Sequence, residues 1–143
     1  MPSVSAPDPD PRLDGLSVLV VEDESLVYFL IEDMLIELGC ATVWRAADIA
    51  TALSLLQDRR PELAILDVNI GGEASYPVAT RLDDLGIPLV FSTGFGRSGL
   101  PPAWQGRPVL EKPFNMAGLV AALGEALRTA EVTEPVSHAG SPG

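Results

Sequence analysis

Residues 16–24 read Leu-Ser-Val-Leu-Val-Val-Glu-Asp-Glu. The first part, LSVLVV, is short, β-branched and apolar without alternation, the pattern of a strand buried on both faces. Strands of that kind belong to parallel sheets with helices on either side. The acidic triplet Glu22-Asp23-Glu24 follows at the strand's carboxyl end.

Outward from this run the chain alternates in type. Residues 25–38 place Leu26, Leu30 and Met34, or alternatively Ile31, Leu35 and Leu38, at helical spacing, and Gly39 stands where a helix C-cap wants it. Residues 41–45 give a weaker second strand. Residues 48–58 carry Ile49, Ala52, Leu53 and Leu56, a helix ended by Arg59-Arg60-Pro61. Residues 63–66 (LAIL) are a third buried strand, and Gly71-Gly72 a loop. Ser75 is placed to cap a helix with Pro77 in its first turn, ending before Gly86. Residues 88–92 (PLVFS) form a fourth strand and residues 108–110 a short fifth. Residues 115–128 make a last helix that buries Leu119, Val120, Leu123 and Leu127. Between the last two strands, residues 93–107 are rich in glycine and proline, show no helical period and read as mostly irregular. The alternation implies an α/β fold, a doubly wound five-stranded parallel sheet with right-handed crossovers. Such sheets bind ligands at the carboxyl ends of their strands.

The 143 residues suit one domain, with 47% apolar and 20% charged side chains. Residues 1–14 read as a disordered arm, 15–130 as the domain, and 131–143 as a loose tail holding the lone His138. Twenty Asp and Glu against nine Lys and Arg leave a formal charge of −11, which argues against a non-specific nucleic-acid binder. No apolar run approaches the ~20 residues of a membrane-spanning helix, and the N-terminal stretch lacks the basic and apolar regions of a secretory leader. The single cysteine, Cys40, fits a reducing compartment, so a cytoplasmic protein is expected, without membrane or nucleic-acid partners.

The residues just past the buried strands define a site. They are Glu22-Asp23-Glu24, Asp67, Ser92-Thr93 and Glu111-Lys112-Pro113. Clustered carboxylates repel unless a cation neutralises them, and an all-oxygen set suits Mg²⁺. A carboxylate can also attack phosphorus to form an aspartyl phosphate, with a lysine and a hydroxyl steadying the transferred group. The stretch 94–99 matches G-x-G-x-x-G, but it follows the fourth strand and Pro101-Pro102 prevents a helix from opening on it, so a flexible loop is the better reading than a dinucleotide site.

These motifs carry a resemblance. VVEDE, LDVN, FSTG and EKPF, in that order over residues 16–128, resemble the receiver domain of two-component response regulators. The runs DVNIGG, YPVA, GIPLVFSTGFG and GLP followed by KPF look like the stand-alone "FAT GUY" receivers, with Ser92 where that nickname has Ala. The resemblance implies a flavodoxin-like strand order 2-1-3-4-5 and a fourth helix that is short, irregular or missing. It implies Asp67 as phosphoacceptor, Thr93 as switch hydroxyl and Lys112 as phosphoryl-binding cation. Glu22, Asp23, Asp67 and the carbonyl of Asn69 would hold Mg²⁺. A cis peptide before Pro113 is usual at that family position. Val109 stands where ordinary receivers carry an inward-turning aromatic, so coupling is expected through the backbone of residues 93–107, with Phe95 a candidate substitute.

The function implied is a single-domain response regulator that is not an enzyme in the ordinary sense. A histidine kinase or histidine phosphotransfer protein would donate the phosphoryl group to Asp67. The chain would then switch a contact with a downstream protein, or act as a phosphate relay or sink. Two other readings compete. An aspartyl-phosphate phosphatase of the haloacid-dehalogenase type needs an acid two residues past the nucleophile, and that position is Asn69. A binding module independent of phosphorylation would be expected to lose one of the site residues, and all are present.

Overall fold

A computed structural model describes residues 13–139. Its elements run β1 (Ser17–Val21), α1 (Ser25–Glu37), β2 (Thr42–Ala46), α2 (Ile49–Asp58), β3 (Leu63–Asp67), β4 (Asn69–Ile70), β5 (Glu73–Ala74), α3 (Tyr76–Asp84), β6 (Leu89–Thr93), β7 (Val109–Glu111) and α4 (Met116–Ala139). The expected five strands pair in parallel in the order β2-β1-β3-β6-β7, which is the flavodoxin-like order. Every residue of β3, the middle strand, is buried.

Two apolar layers cover the sheet. Val18, Val20, Ile65, Val90 and Leu110 meet Tyr28, Ile31 and Leu35 of α1 and Leu119 and Leu123 of α4. Leu19, Leu66, Leu89 and Phe91 meet Ala52 and Leu56 of α2 and Val78 and Leu82 of α3. Each fully buried Leu or Val contributes roughly 1.5–3 kcal/mol. The choice left open in α1 is decided by tertiary packing: Ile31 and Leu35 face the sheet, while Leu26 and Leu30 are exposed.

Between β6 and β7, where a fourth helix would lie, there are two 3-10 turns, Arg97–Gly99 and Pro102–Trp104. This matches the expected irregular stretch. Its second half is tied down: Arg97 donates to the carbonyls of Gln105 and Arg107, Gln105 donates to the Leu100 carbonyl, and Arg107 pairs with Asp83 at 2.6 Å.

Several expectations need correction. Leu13, assigned to the arm, is fully buried in the layer under α1, because an apolar residue next to β1 gains by packing there, and Gly15 N–H bonds the Gly39 carbonyl. Residues 1–12 of the arm lie outside the described residues. Helix α4 continues past Arg128 to Ala139, so this part of the expected loose tail is helical; residues 129–139 contain no glycine. Residues 140–143 are outside the described residues. Ser75 occupies the N-cap position but its hydroxyl makes no cap, since its backbone (φ −88, ψ 13) is not extended as a capping residue's must be. The loop at Gly71-Gly72 is the turn of a two-stranded antiparallel hairpin, β4–β5, with both glycines at positive φ as a tight hairpin turn requires. Among the described residues no helix is long and apolar enough to cross a membrane.

Candidate functional site

Strand register decides which side chains meet. Val21 of β1 lies beside Leu66 of β3, so the next residues, Glu22 and Asp67, are neighbours; Asp67 lies in turn beside Ser92 of β6. Lys112 N–H bonds the Thr93 carbonyl, which places the lysine just past β7. The Lys112-Pro113 peptide is cis.

Lys112 Nζ lies 2.9 Å from Asp67 Oδ2 and 3.6 Å from Glu22 Oε1. Oxygens of Glu22, Asp23 and Asp67 all lie within 4.8 Å of one another. Backbone donors fix each carboxylate. Asn69 N–H donates to Asp67 Oδ1 at 3.1 Å, Glu24 N–H to Glu22 Oε2 at 3.0 Å, and Gly71 N–H to Asp23 Oδ2 at 3.0 Å. The hairpin is thus what reaches across to Asp23, and Gly72 N–H closes its turn on Asn69 Oδ1.

Burial dominates the electrostatics of Glu22. It pushes the carboxyl up to about 7, the Asp67 charge adds to the rise, and the Glu24 N–H and Lys112 oppose it. For Lys112 burial pulls the ammonium down, but the Asp67 hydrogen bond and the charges of Asp67, Glu22 and Glu24 outweigh it and leave it raised. The lysine is therefore charged at neutral pH, the form that holds an anion.

A hard divalent cation fits this donor set. It offers oxygens alone, and Glu22 Oε1 is buried without a hydrogen-bond partner among the described residues. The described residues hold no other cluster of potential metal ligands.

Thr93 stands apart from this contact network. Its hydroxyl accepts the Phe95 N–H at 3.0 Å, and the Phe95 ring is 83% exposed rather than packed inward. Sequence spacing does not signal the aromatic cluster on the other face. Trp104 stacks on Tyr76 at 6.2 Å between centroids and meets Phe91 edge-on at 5.6 Å, and Val109 packs in the same layer. Only crossovers bring these rings together, so no local spacing signals them.

Ser92 adds one more feature. Its hydroxyl is buried beside Asp67 and has no hydrogen-bond partner among the described residues. Ser92→Ala is expected to raise stability by about 1 kcal/mol, because an unpaired buried hydroxyl costs more than a methyl. Chemical denaturation checks it; a midpoint unchanged or lowered would contradict it.

Comparison with known proteins agrees with this fold. The Response regulator receiver domain family matches residues 18–124. The chain is 31% identical over 121 residues to the transcriptional regulatory protein PdtaR of Mycobacterium tuberculosis (strain CDC 1551 / Oshkosh), covering 81% of this chain and 59% of PdtaR. It is 30% identical over 109 residues to the uncharacterized transcriptional regulatory protein YbdJ of Bacillus subtilis (strain 168), covering 72% of this chain and 47% of YbdJ. The chain thus spans about half the length of these curated relatives. Among solved structures, SdrG from Sphingomonas melonis Fr1 is similar at 42% identity and TM-score 0.71, over 78% of this chain and 96% of SdrG. The response regulator PhyR from Brucella abortus is similar at 27% identity and TM-score 0.74, over 88% of this chain and 53% of PhyR. With the family match over residues 18–124 and the five-stranded parallel sheet in this order, the chain belongs to the response regulator receiver domains of two-component signalling.

Proposed function

We propose that the chain accepts a phosphoryl group on Asp67 from a histidine kinase or histidine phosphotransfer protein, and thereby switches a protein contact or relays the group onward. The observation that carries this reading is the Lys112 Nζ to Asp67 Oδ2 contact of 2.9 Å beside the two acids, Glu22 and Asp23, that close the cluster. Asp67 has a nucleophilic oxygen, and no other acid stands at the position two residues on, where a haloacid-dehalogenase phosphatase would need one.

In the transfer, an Asp67 oxygen forms the new P–O bond as the donor's N–P bond breaks and the donor nitrogen takes up a proton. The Asn69 N–H holds the other carboxylate oxygen in place. Lys112 exchanges its bond to Asp67 for one to a phosphoryl oxygen and stays paired with a charge throughout. The Thr93 hydroxyl, which only accepts from the Phe95 N–H, keeps its own O–H to donate to another phosphoryl oxygen. Glu22, Asp23, Asp67 and the Asn69 carbonyl would hold Mg²⁺. When bound, that ion offsets the charge of the carboxylates and of the transferring group.

Transfer of labelled phosphate from a panel of histidine kinases tests the proposal. Wild type is expected to be labelled in a Mg²⁺-dependent way and Asp67→Asn not at all. Labelling of Asp67→Asn equal to wild type would place the acceptor elsewhere. Turnover of a generic phosphate ester over many cycles would favour an enzyme instead.

A further inference from the structure

The side chains of the acid pair are held by groups already described, and the backbone of the pair is held by another residue. Arg45, on the edge strand β2, donates from Nε and Nη2 to the Glu22 carbonyl, each at 3.3 Å. Nη2 also donates to the Asp23 carbonyl at 3.3 Å and to Ser25 Oγ at 3.4 Å. The guanidinium carbon lies 5.0 Å from the centre of the Tyr28 ring in the first turn of α1.

We propose that Arg45 is a positioning residue for the phosphoryl and Mg²⁺ site, fixing where the Glu22 and Asp23 carboxylates stand by clamping the backbone between β1 and α1. This deepens the reading of the site given above and rests on it.

The junction lacks the usual restraint. Glu24 is the N-cap of α1, and no side chain caps the helix. Without a cap, the turn from strand to helix depends on tertiary contacts. Arg45 and the donors already named supply them at both ends of each acid. Glu22 is bound by Glu24 N–H and Lys112 at its carboxylate and by Arg45 at its carbonyl. Asp23 is bound by Gly71 N–H at its carboxylate and by Arg45 at its carbonyl. Carboxylates this close repel, and repulsion displaces whichever loop is free to move. A guanidinium bonded to the carbonyls of the same two residues opposes that displacement. The planar fork suits the task, since it can bridge successive carbonyls and a hydroxyl while stacking on a ring. An ammonium is a single point of charge and cannot do all three.

The experiment compares wild type, Arg45→Gln and Arg45→Lys in the 143-residue chain. Mg²⁺ alone is titrated while amide NMR shifts are followed, and hydrogen exchange at the Glu24 amide is measured in metal-free protein. Mg²⁺ affinity is expected to fall about 10–100-fold in Arg45→Gln, as for the loss of other groups that orient metal ligands, with partial recovery in Arg45→Lys. Glu24 exchange is expected to quicken in the same order. Unchanged Mg²⁺ affinity in both variants overturns the proposal whatever their melting temperatures, since a purely structural arginine would alter only the latter. If Arg45→Gln does not fold, Arg45→Lys decides alone, and wild-type affinity in it overturns the proposal. A wild type that binds no Mg²⁺ overturns the reading of the site itself; Glu24 exchange in metal-free protein then decides the clamp, and equal rates overturn it.

Discussion

Lys112→Ala is expected to slow phosphotransfer to Asp67 on the order of 10²–10³-fold, the usual cost of removing one preorganised group from a site of developing charge. The same change is expected to tighten Mg²⁺ binding in the unphosphorylated protein. The two effects have opposite signs for one reason. Before transfer, the ammonium and a divalent cation compete for the same carboxylates, Asp67 at 2.9 Å and Glu22 at 3.6 Å. Two charges a few ångströms apart at an effective dielectric of about 20 interact by several kcal/mol. The Lys112 side chain is 25% exposed, so water screens part of this, and a gain of about tenfold in Mg²⁺ affinity is the expected remainder. After transfer, nothing else among the described residues replaces the lost cation beside the phosphoryl group. The fold survives, because the ammonium makes no apolar contact in either core layer and water can take its place. Mg²⁺ titration and phosphotransfer rates measured on one preparation check both signs. A variant that transfers at the wild-type rate would remove Lys112 from the mechanism.

The second large effect is expected in residues 94–99. A beryllium trifluoride adduct of Asp67, standing in for the phosphoryl group, is expected to slow hydrogen exchange there by about tenfold or more, since lightly held segments open at little free-energy cost. The reason lies at Thr93. Its hydroxyl accepts the Phe95 N–H, and donating its own O–H to the adduct fixes that hydroxyl and, through it, the Phe95 backbone. Gly94, Gly96 and Gly99 can follow through large backbone changes at low steric cost. Gly96 has φ +69, and a Cβ there would meet Glu111 Oε2 at 2.6 Å. Gly96→Ala is therefore expected to disturb the segment even without the adduct. Residues 100–107 should change little. Leu100 is buried, Trp104 is stacked on Tyr76, Gln105 donates to the Leu100 carbonyl and Arg107 binds Asp83 of α3; the Arg97 side chain, which reaches from the moving part to the Gln105 and Arg107 carbonyls, anchors only the far end of that part. The structure thus narrows the expected moving part to the first half of the glycine-rich stretch. Equal protection of residues 94–99 in both states, with the change confined to α4, would point to a route through β7 instead.

What could be read from the sequence shares one physical basis: it depends on neighbours along the chain. A strand buried on both faces needs an unbroken apolar run, so LSVLVV, LAIL and PLVFS declare themselves. Alternation with helices then forces a parallel sheet, and a parallel sheet puts the ends of its strands on one edge. Glu22, Asp23, Asp67, Thr93 and Lys112 follow from that. The family resemblance supplied their order and roles, and the strand order β2-β1-β3-β6-β7 agrees with it.

The rest depended on contacts across the fold. Two helical faces of α1 were equally apolar in the sequence, and only docking against β1 and α4 chose Ile31 and Leu35 over Leu26 and Leu30. Strands of two residues have no period, so the hairpin β4–β5 and its hold on Asp23 were invisible. Ser75 had the composition of a cap without the backbone for one. Arg45 is an ordinary edge-strand cation in the sequence; it meets Glu22 and Asp23 only because β2 lies beside β1, which carries those acids at its end. Trp104 reaches Tyr76 and Phe91 across three separate elements. Local pattern determined which elements form and which ends converge, because burial and hydrogen bonding along the chain are local demands. The register of the sheet decided what each converging side chain touches, because those distances exist only once the crossovers have closed.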